Sequence, residues 1–385
     1  MGKGYLMDNR IANILDREVE RQDNTIELIA SENFASDAVM GLSGSVFTNK
    51  YAEGYSGKRY YNGCDHMDEI EDLAIEQVKL LYGCKFANVQ PHCGANANTA
   101  VYLAFLKPGD TILGMDLASG GHLSHGAKVN LSGKVYNSFS YGVDEDGFLD
   151  YSAILQQAIE VKPQMIVAGA SAYPRRIDWT TFRDIADEVG AYLLVDMAHY
   201  SGLIAGGAYP NPVPWADVVT STTHKTLRGP RGGIILWNNP DYTKRINSAV
   251  FPGSQGGPLM NQVAAKAQCF IEANTDNFER YASAIIDNAK EMAFVFKENG
   301  YKCLTDGTDS HIILLDLSDH HLSGRQAADL LEVNGITVNK NGVPNDKRSF
   351  VETSGIRLGT AAETTRGNDK QDFNRIANRI VEILT

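Results

Sequence analysis

Ala216-Asp217-Val218-Val219-Thr220-Ser221-Thr222-Thr223-His224-Lys225-Thr226-Leu227-Arg228-Gly229-Pro230-Arg231-Gly232-Gly233-Ile234-Ile235-Leu236-Trp237 holds two apolar runs joined by a connection rich in hydroxyls and glycine. Ala216 to Thr220 reads as a short strand and Gly232 to Trp237 as a second. Lys225 therefore sits between two buried elements and not on a solvated helix face. A lysine is a useful catalyst when its amine is neutral and aimed, usually as a Schiff-base former. Alone it would read as a surface charge. The hydroxyls, histidine and glycines around it argue for the catalytic reading.

Upstream, Gly190-Ala191-Tyr192-Leu193-Leu194-Val195 is an apolar strand ending in Asp196-Met197-Ala198-His199. A carboxylate at the carboxyl end of a buried parallel strand points into the crevice where open α/β sheets bind ligands. Alone, Asp196 would read as a helix cap. With Lys225 nearby, the two supply what pyridoxal phosphate requires: an amine for its aldehyde and an acid opposite its ring nitrogen. An adjacent carboxylate raises the pKa of that nitrogen and keeps it protonated.

Working outward, short strands alternate with helical stretches. Strands are expected at Thr111 to Met115, Met165 to Ala170, Ala191 to Asp196 and Asp217 to Ser221, with helices at Ala95 to Leu106 and Thr180 to Val189. That alternation predicts an α/β fold with a mostly parallel sheet covered on both faces. Residues 8–24 are charged and helix-prone. Asp65 to Leu81 has helical apolar spacing, with Asp65 as the expected N-cap and Gly83 after its end. Farther on, His311 to Leu317 reads as a strand and Ser323 to Val333 as a helix ended by Asn334-Gly335. The division between domains is expected near residue 275.

A net charge of −12 argues against a nucleic-acid surface as the main role. Cys64, Cys84, Cys93, Cys269 and Cys303 lack CxxC spacing, which suggests reduced thiols in a cytoplasmic protein. No apolar run approaches the ~18 residues of a membrane span. Met1 to Leu6 lacks a signal-peptide core.

Gln90-Pro91-His92-Cys93-Gly94-Ala95 reads as a turn opening a helix, whose free N–H groups and dipole would face an anion. Gly94 allows a phosphate close approach, though an ordinary helix cap would look the same. His122 follows two glycines. His122 and His125 could be read as a metal pair, but no thiol or carboxylate partner accompanies them, and no metal is expected.

Ordered blocks along nearly the whole chain carry a resemblance. They are Ile26-Glu27-Leu28-Ile29-Ala30-Ser31-Glu32-Asn33, Asn49-Lys50-Tyr51-Ala52-Glu53-Gly54-Tyr55, Gly57-Lys58-Arg59-Tyr60-Tyr61, Gly120-Gly121-His122-Leu123, Phe251-Pro252-Gly253-Ser254-Gln255-Gly256-Gly257-Pro258 and Ser354-Gly355-Ile356-Arg357-Leu358-Gly359-Thr360. With the run around Lys225, they resemble serine hydroxymethyltransferases. The resemblance implies a fold type I pyridoxal-phosphate-dependent transferase, with a mostly parallel seven-stranded sheet in a large domain and a smaller α+β C-terminal domain. The implied division is a helical arm (1–24), a cofactor domain (25–275) and a small domain (276–385), shortened at its end.

The implied reaction moves serine's hydroxymethyl carbon to tetrahydrofolate, leaving glycine. The resemblance makes Lys225, Asp196, His122 and Glu53 the catalytic residues, with His122 stacked on the cofactor ring. Cys93 (usually Ser in the family), Gly94 and Ala95 hold the phosphate. Ser171 and His199 surround the ring's phenolic oxygen, and His224 joins the pocket. Tyr51 and Gly257 reach a neighbouring subunit's phosphate, which implies a homodimer with shared sites, or a tetramer built from such dimers. Arg357, Ser31, Tyr61 and Glu53 meet the amino-acid substrate, Arg357 through a bidentate carboxylate pair. Tyr60, Leu117, Gly121, Leu123 and Asn341, with Tyr61, line the folate slot.

The chain departs from the family at Tyr200-Ser201, Ala361, Asp65-His66 and Asn62. Two other readings stay open: a folate-independent aldolase or transaldolase acting on threonine or α-methylserine, and a cofactor-binding protein of lapsed catalysis that binds RNA or a partner.

Overall fold

A computed structural model describes residues 7–385; Met1 to Leu6, and the reading made of them, lie outside the described residues. The central sheet has seven strands: β1 (Phe86–Asn88), β2 (Thr111–Met115), β3 (Asn137–Tyr141), β4 (Met165–Ala168), β5 (Tyr192–Asp196), β6 (Val218–Thr222) and β7 (Gly233–Trp237). Their order is β1-β7-β6-β5-β4-β2-β3. Only β7 runs antiparallel to its neighbours, since the turn carrying Lys225 returns directly beside β6.

The continuous apolar runs follow from burial on both faces. In β5, Leu193 and Val195 enter one core while Leu194 enters the other. The first core receives helices α2 (Asp65–Tyr82), α5 (Trp179–Val189) and α6 (Met260–Ala273); the second receives α3 (Gly94–Phe105). Helix α4 (Tyr151–Val161) packs beside α5. The N-cap of α2 is Cys64, one residue before the expected Asp65. Asp65 instead joins Asp68 in the first turn, where carboxylates favour the positive dipole end. Gly83 closes that helix at φ +70°, a conformation glycine adopts without Cβ strain.

The second lobe is an antiparallel sheet of β8 (Lys302–Cys303), β9 (Ile312–Asp316), β10 (Asn339–Asn341) and β11 (Gly355–Gly359), ordered β8-β9-β11-β10. Helices α7 (Asp276–Glu298), α8 (Gly324–Val333) and α9 (Lys370–Leu384) cover it. Helix α7 serves both lobes: Phe278, Ala282 and Ile285 enter the large core, while Ala289, Met292 and Phe296 enter the small one. The segment before the large sheet also reaches across, for Ile26 pairs in parallel with Ile336. Helix α1 (Asn9–Asn24) buries none of its residues, and Ile11, Ile14, Leu15 and Val19 are at least half exposed. No helix among the described residues is long and apolar enough to cross a membrane.

Candidate active site

Parallel neighbours β5 and β6 pair Asp196 with Thr220, so their carboxyl ends open into one crevice. Lys225 lies just past the end of β6. A cavity of about 210 Å³ there is lined by Lys225 and Asp196, by Cys93, Gly94 and Ala95 at the start of α3, and by His122, Ser171, His199 and His224. All nine were expected to hold the cofactor.

Asp196 is only 8% exposed, yet it stays ionised. Burial works against its charge, but His125 Nε2 at 3.0 Å and Asn98 Nδ2 at 2.8 Å, both on Oδ2, hold the carboxyl well below the usual range. The Ala198 N–H donates to Oδ1 at 3.1 Å. Lys225 Nζ donates to Thr222 Oγ1 at 3.1 Å. Burial lowers its pKa to about 8, against the pull of Asp196 and with repulsion from Arg357 and Arg231. At pH 7 about a tenth of the amine is therefore unprotonated, against less than about a thousandth for an ordinary lysine.

Arg357, on β11, is held at three points. Nε and Nη2 donate to Asn339 Oδ1 at 3.2 and 2.6 Å, and Nη1 donates to the Ser171 carbonyl at 2.6 Å. A guanidinium carries five N–H donors, so one remains on each of Nη1 and Nη2, the pair that grips a carboxylate. Ser171 brings this arginine to the cavity, although it stands on the small lobe.

A family model described as serine hydroxymethyltransferase matches residues 5–380. The serine hydroxymethyltransferase of Dichelobacter nodosus is 56% identical over 378 residues, covering 98% of this chain and 91% of its own length. That of Lactobacillus acidophilus is 57% identical over 371 residues, covering 96% and 90%. The chain belongs to the serine hydroxymethyltransferase family. It is accordingly a fold type I, pyridoxal-phosphate-dependent one-carbon transferase with tetrahydrofolate as co-substrate.

The residues present fit the family's cofactor. The α3 cradle is open only because position 94 is glycine: a Cβ there would stand 2.7 Å from Thr222 Cγ2. Cys93 caps α3 without a side-chain bond to its backbone, and its thiol donates to Asn96 Oδ1 at 3.0 Å. The histidines add no charge. Burial, then His125, lowers His122 to about 4, and burial, then Lys225 and Arg231, lowers His224 to about 3. His199 falls well below its usual value through burial and the fields of Lys225 and Arg357.

The other family positions form two groups. Tyr51 and Tyr61 meet edge to face at 5.2 Å, Gly257 packs on Tyr51, and Glu53 lies half-buried near Gly256. With Tyr60, 74% exposed, they stand outside the Lys225 cavity of their own chain. Leu117 and Asn341 share a separate cavity of about 520 Å³. Gly121, where a Cβ would meet the Met115 carbonyl, and Leu123, 46% exposed, are not in its wall. Ser31 follows Ala30, which packs on Gly359 just beyond Arg357.

Sequence reading missed Asn98, His125 and Asn339, which orient Asp196 and Arg357, and also His311. His311 Nε2 lies 3.3 Å from His199 Nδ1, the rings stack at 5.5 Å, and burial lowers His311 to about 3. A usable signal existed for Asn98: a polar residue at i+4 from Gly94 on an otherwise apolar helix face.

These imidazoles make stability acid-sensitive. Their folded pKa values lie below the ~6.5 of an unfolded histidine, so below that pH the unfolded chain binds more protons and stability falls. Each of His122, His199, His224 and His311 contributes a loss of roughly 1 kcal/mol between pH 6.5 and 5.5. Urea unfolding of the apoprotein at the two pH values should show a marked fall in midpoint; an unchanged midpoint would contradict the neutral assignments.

Proposed function

We propose that this site moves the hydroxymethyl carbon of serine to tetrahydrofolate, leaving glycine and 5,10-methylenetetrahydrofolate, with Lys225, Asp196 and Arg357 as its principal groups. The observation that carries the reading is a carboxylate kept ionised by His125 and Asn98 beside a lysine of lowered pKa. Bound there, pyridoxal phosphate supplies an electron sink for the bond broken at the substrate α-carbon.

Lys225 would present an amine whose lowered pKa lets it shed its proton easily, and Asp196 would stabilise a proton on the cofactor's ring nitrogen. N–H groups of the first turn of α3, at Gly94 and Ala95, would hold its phosphate. Arg357 holds the serine carboxylate through its two remaining donors, with Ser31 and Tyr61 beside the substrate. His122, Ser171, His199 and His224 wall the cavity against water without adding charge. Glu53 moves a proton at the serine hydroxyl, and Tyr60, Leu117, Gly121, Leu123 and Asn341 take the folate.

Tyr51, Glu53, Tyr60, Tyr61 and Gly257 act, in this reading, in the cavity of a second copy, giving a homodimer with shared sites. The exposure of Tyr51, Tyr60 and Tyr61 away from their own Lys225 and the open apolar face of α1 support it. The five free thiols suit a cytoplasmic location. In this reading the chain divides into an arm (1–24), a cofactor domain (25–275) and a small domain (276–385), with α7 packing into the cores of the last two.

The test is an absorbance spectrum with glycine, then with glycine plus tetrahydrofolate. A long-wavelength band that grows strongly only with folate is the expected result. Serine turnover at the same rate without folate would overturn the assignment.

A further inference from the structure

Lys266, on α6, is 2% exposed. Its Nζ donates to three main-chain carbonyls, those of Val89 at 2.6 Å, Pro91 at 3.0 Å and Gly233 at 2.9 Å. An ammonium has three donors, and all three are used. Two of the carbonyls belong to the segment running from β1 into α3, and the third opens β7. The side chain thus ties together the two segments that frame the start of α3. Two glycines make the room: a Cβ on Gly232 would run into Lys266 Cε, and one on Gly233 into the Cys93 carbonyl.

The charge of this side chain is unbalanced within the chain. A buried ammonium is costly unless it is paired. Among the described residues no carboxylate stands within ion-pair distance of Lys266. Glu71, the acid whose field reaches it, is bonded to Arg59 at 2.5 Å and to Gln90 at 2.8 Å. Burial lowers the Lys266 pKa to about 7, despite the fields of Glu71 and Cys93. Beside it, at Cys93, Gly94 and Ala95, lies a helix start suited to an anion.

We infer that Lys266 is the buried counter-charge of the phosphate site, a positioning residue that fixes the cradle's shape and balances the charge of a bound phosphate group without touching it. The inference rests on the cofactor reading above. It explains why a lysine, and not an apolar side chain of similar length, stands at a fully buried helix position.

Lys266→Met keeps the stem and removes the ammonium. Dissociation constants are measured for pyridoxal phosphate and for pyridoxal, which lacks the phosphate, together with the rise in apoprotein Tm on adding sulfate. In Lys266→Met, pyridoxal phosphate should bind at least about tenfold more weakly and the sulfate effect should shrink. Pyridoxal affinity should be unchanged, while the ligand-free Tm falls through the loss of three hydrogen bonds to main-chain carbonyls. Lys266→Arg should recover part of the lost affinity. Equal losses for both compounds, or no loss for either, would overturn the inference. If Lys266→Met does not fold, Gly232→Ala, which displaces the ammonium, takes its place with the same readouts. Failure of the cofactor reading itself looks different: the unaltered protein would then bind neither compound.

Discussion

Lys225→Arg is expected to lower serine turnover by about 10⁴-fold or more, the scale of loss when a covalent catalyst is removed. Arginine keeps the positive charge near Asp196 and much of the volume, so the cavity and the fold should persist. It cannot give up its proton near neutral pH, and therefore offers no nucleophilic amine. The unaltered protein, with a Lys225 pKa of about 8, should capture pyridoxal phosphate faster as pH rises and level off above that value. Borohydride trapping should mark the peptide containing Lys225 in the unaltered protein and leave the variant unmarked. A variant within tenfold of normal turnover would remove Lys225 from the chemistry.

Arg357→Lys should raise the KM for serine by roughly 10- to 10²-fold, with a smaller change in kcat. Two charge-assisted hydrogen bonds to a carboxylate contribute about 1.5–3 kcal/mol each, and a lysine can replace at most one of them. The loss has a second source: Asn339 Oδ1 and the Ser171 carbonyl, now bonded to the guanidinium, would each lose a partner. Steady-state kinetics in serine decides the matter. A KM within threefold of normal would place the carboxylate elsewhere.

Much of this cavity's lining is legible in the sequence. Lys225 and Asp196 announce themselves because strand-end positions in α/β sheets open into the crevice, and apolar runs mark those strand ends clearly. Arg357 needed the family motif around it, since an arginine on a strand has no distinctive local pattern. Asn98 apart, what sequence could not supply was the set of residues that orient these three. His125 reaches Asp196 across 71 positions, Asn339 meets Arg357 from the next strand, and Lys266 meets Val89 across 177. Such contacts depend on how helices settle on the sheet, which no periodicity reports. His125 is instructive here: beside His122 it reads in sequence only as a metal ligand, set aside for want of a partner, whereas its ring is turned onto the Asp196 carboxylate. The helix start at Cys64 in place of Asp65 is a smaller miss of the same local kind, because an acid one residue inside a helix favours its dipole as a cap would.

Helix α7 has a consequence for anyone who would rebuild this protein. Its first turns complete one core and its last turns the other, so neither half is a portable module. A graft joined at residue 275 would carry the helix away from the larger partner and leave a hydrophobic furrow where Phe278, Ala282 and Ile285 had been. Chimeras of this architecture should instead exchange surface loops and leave the shared beam whole.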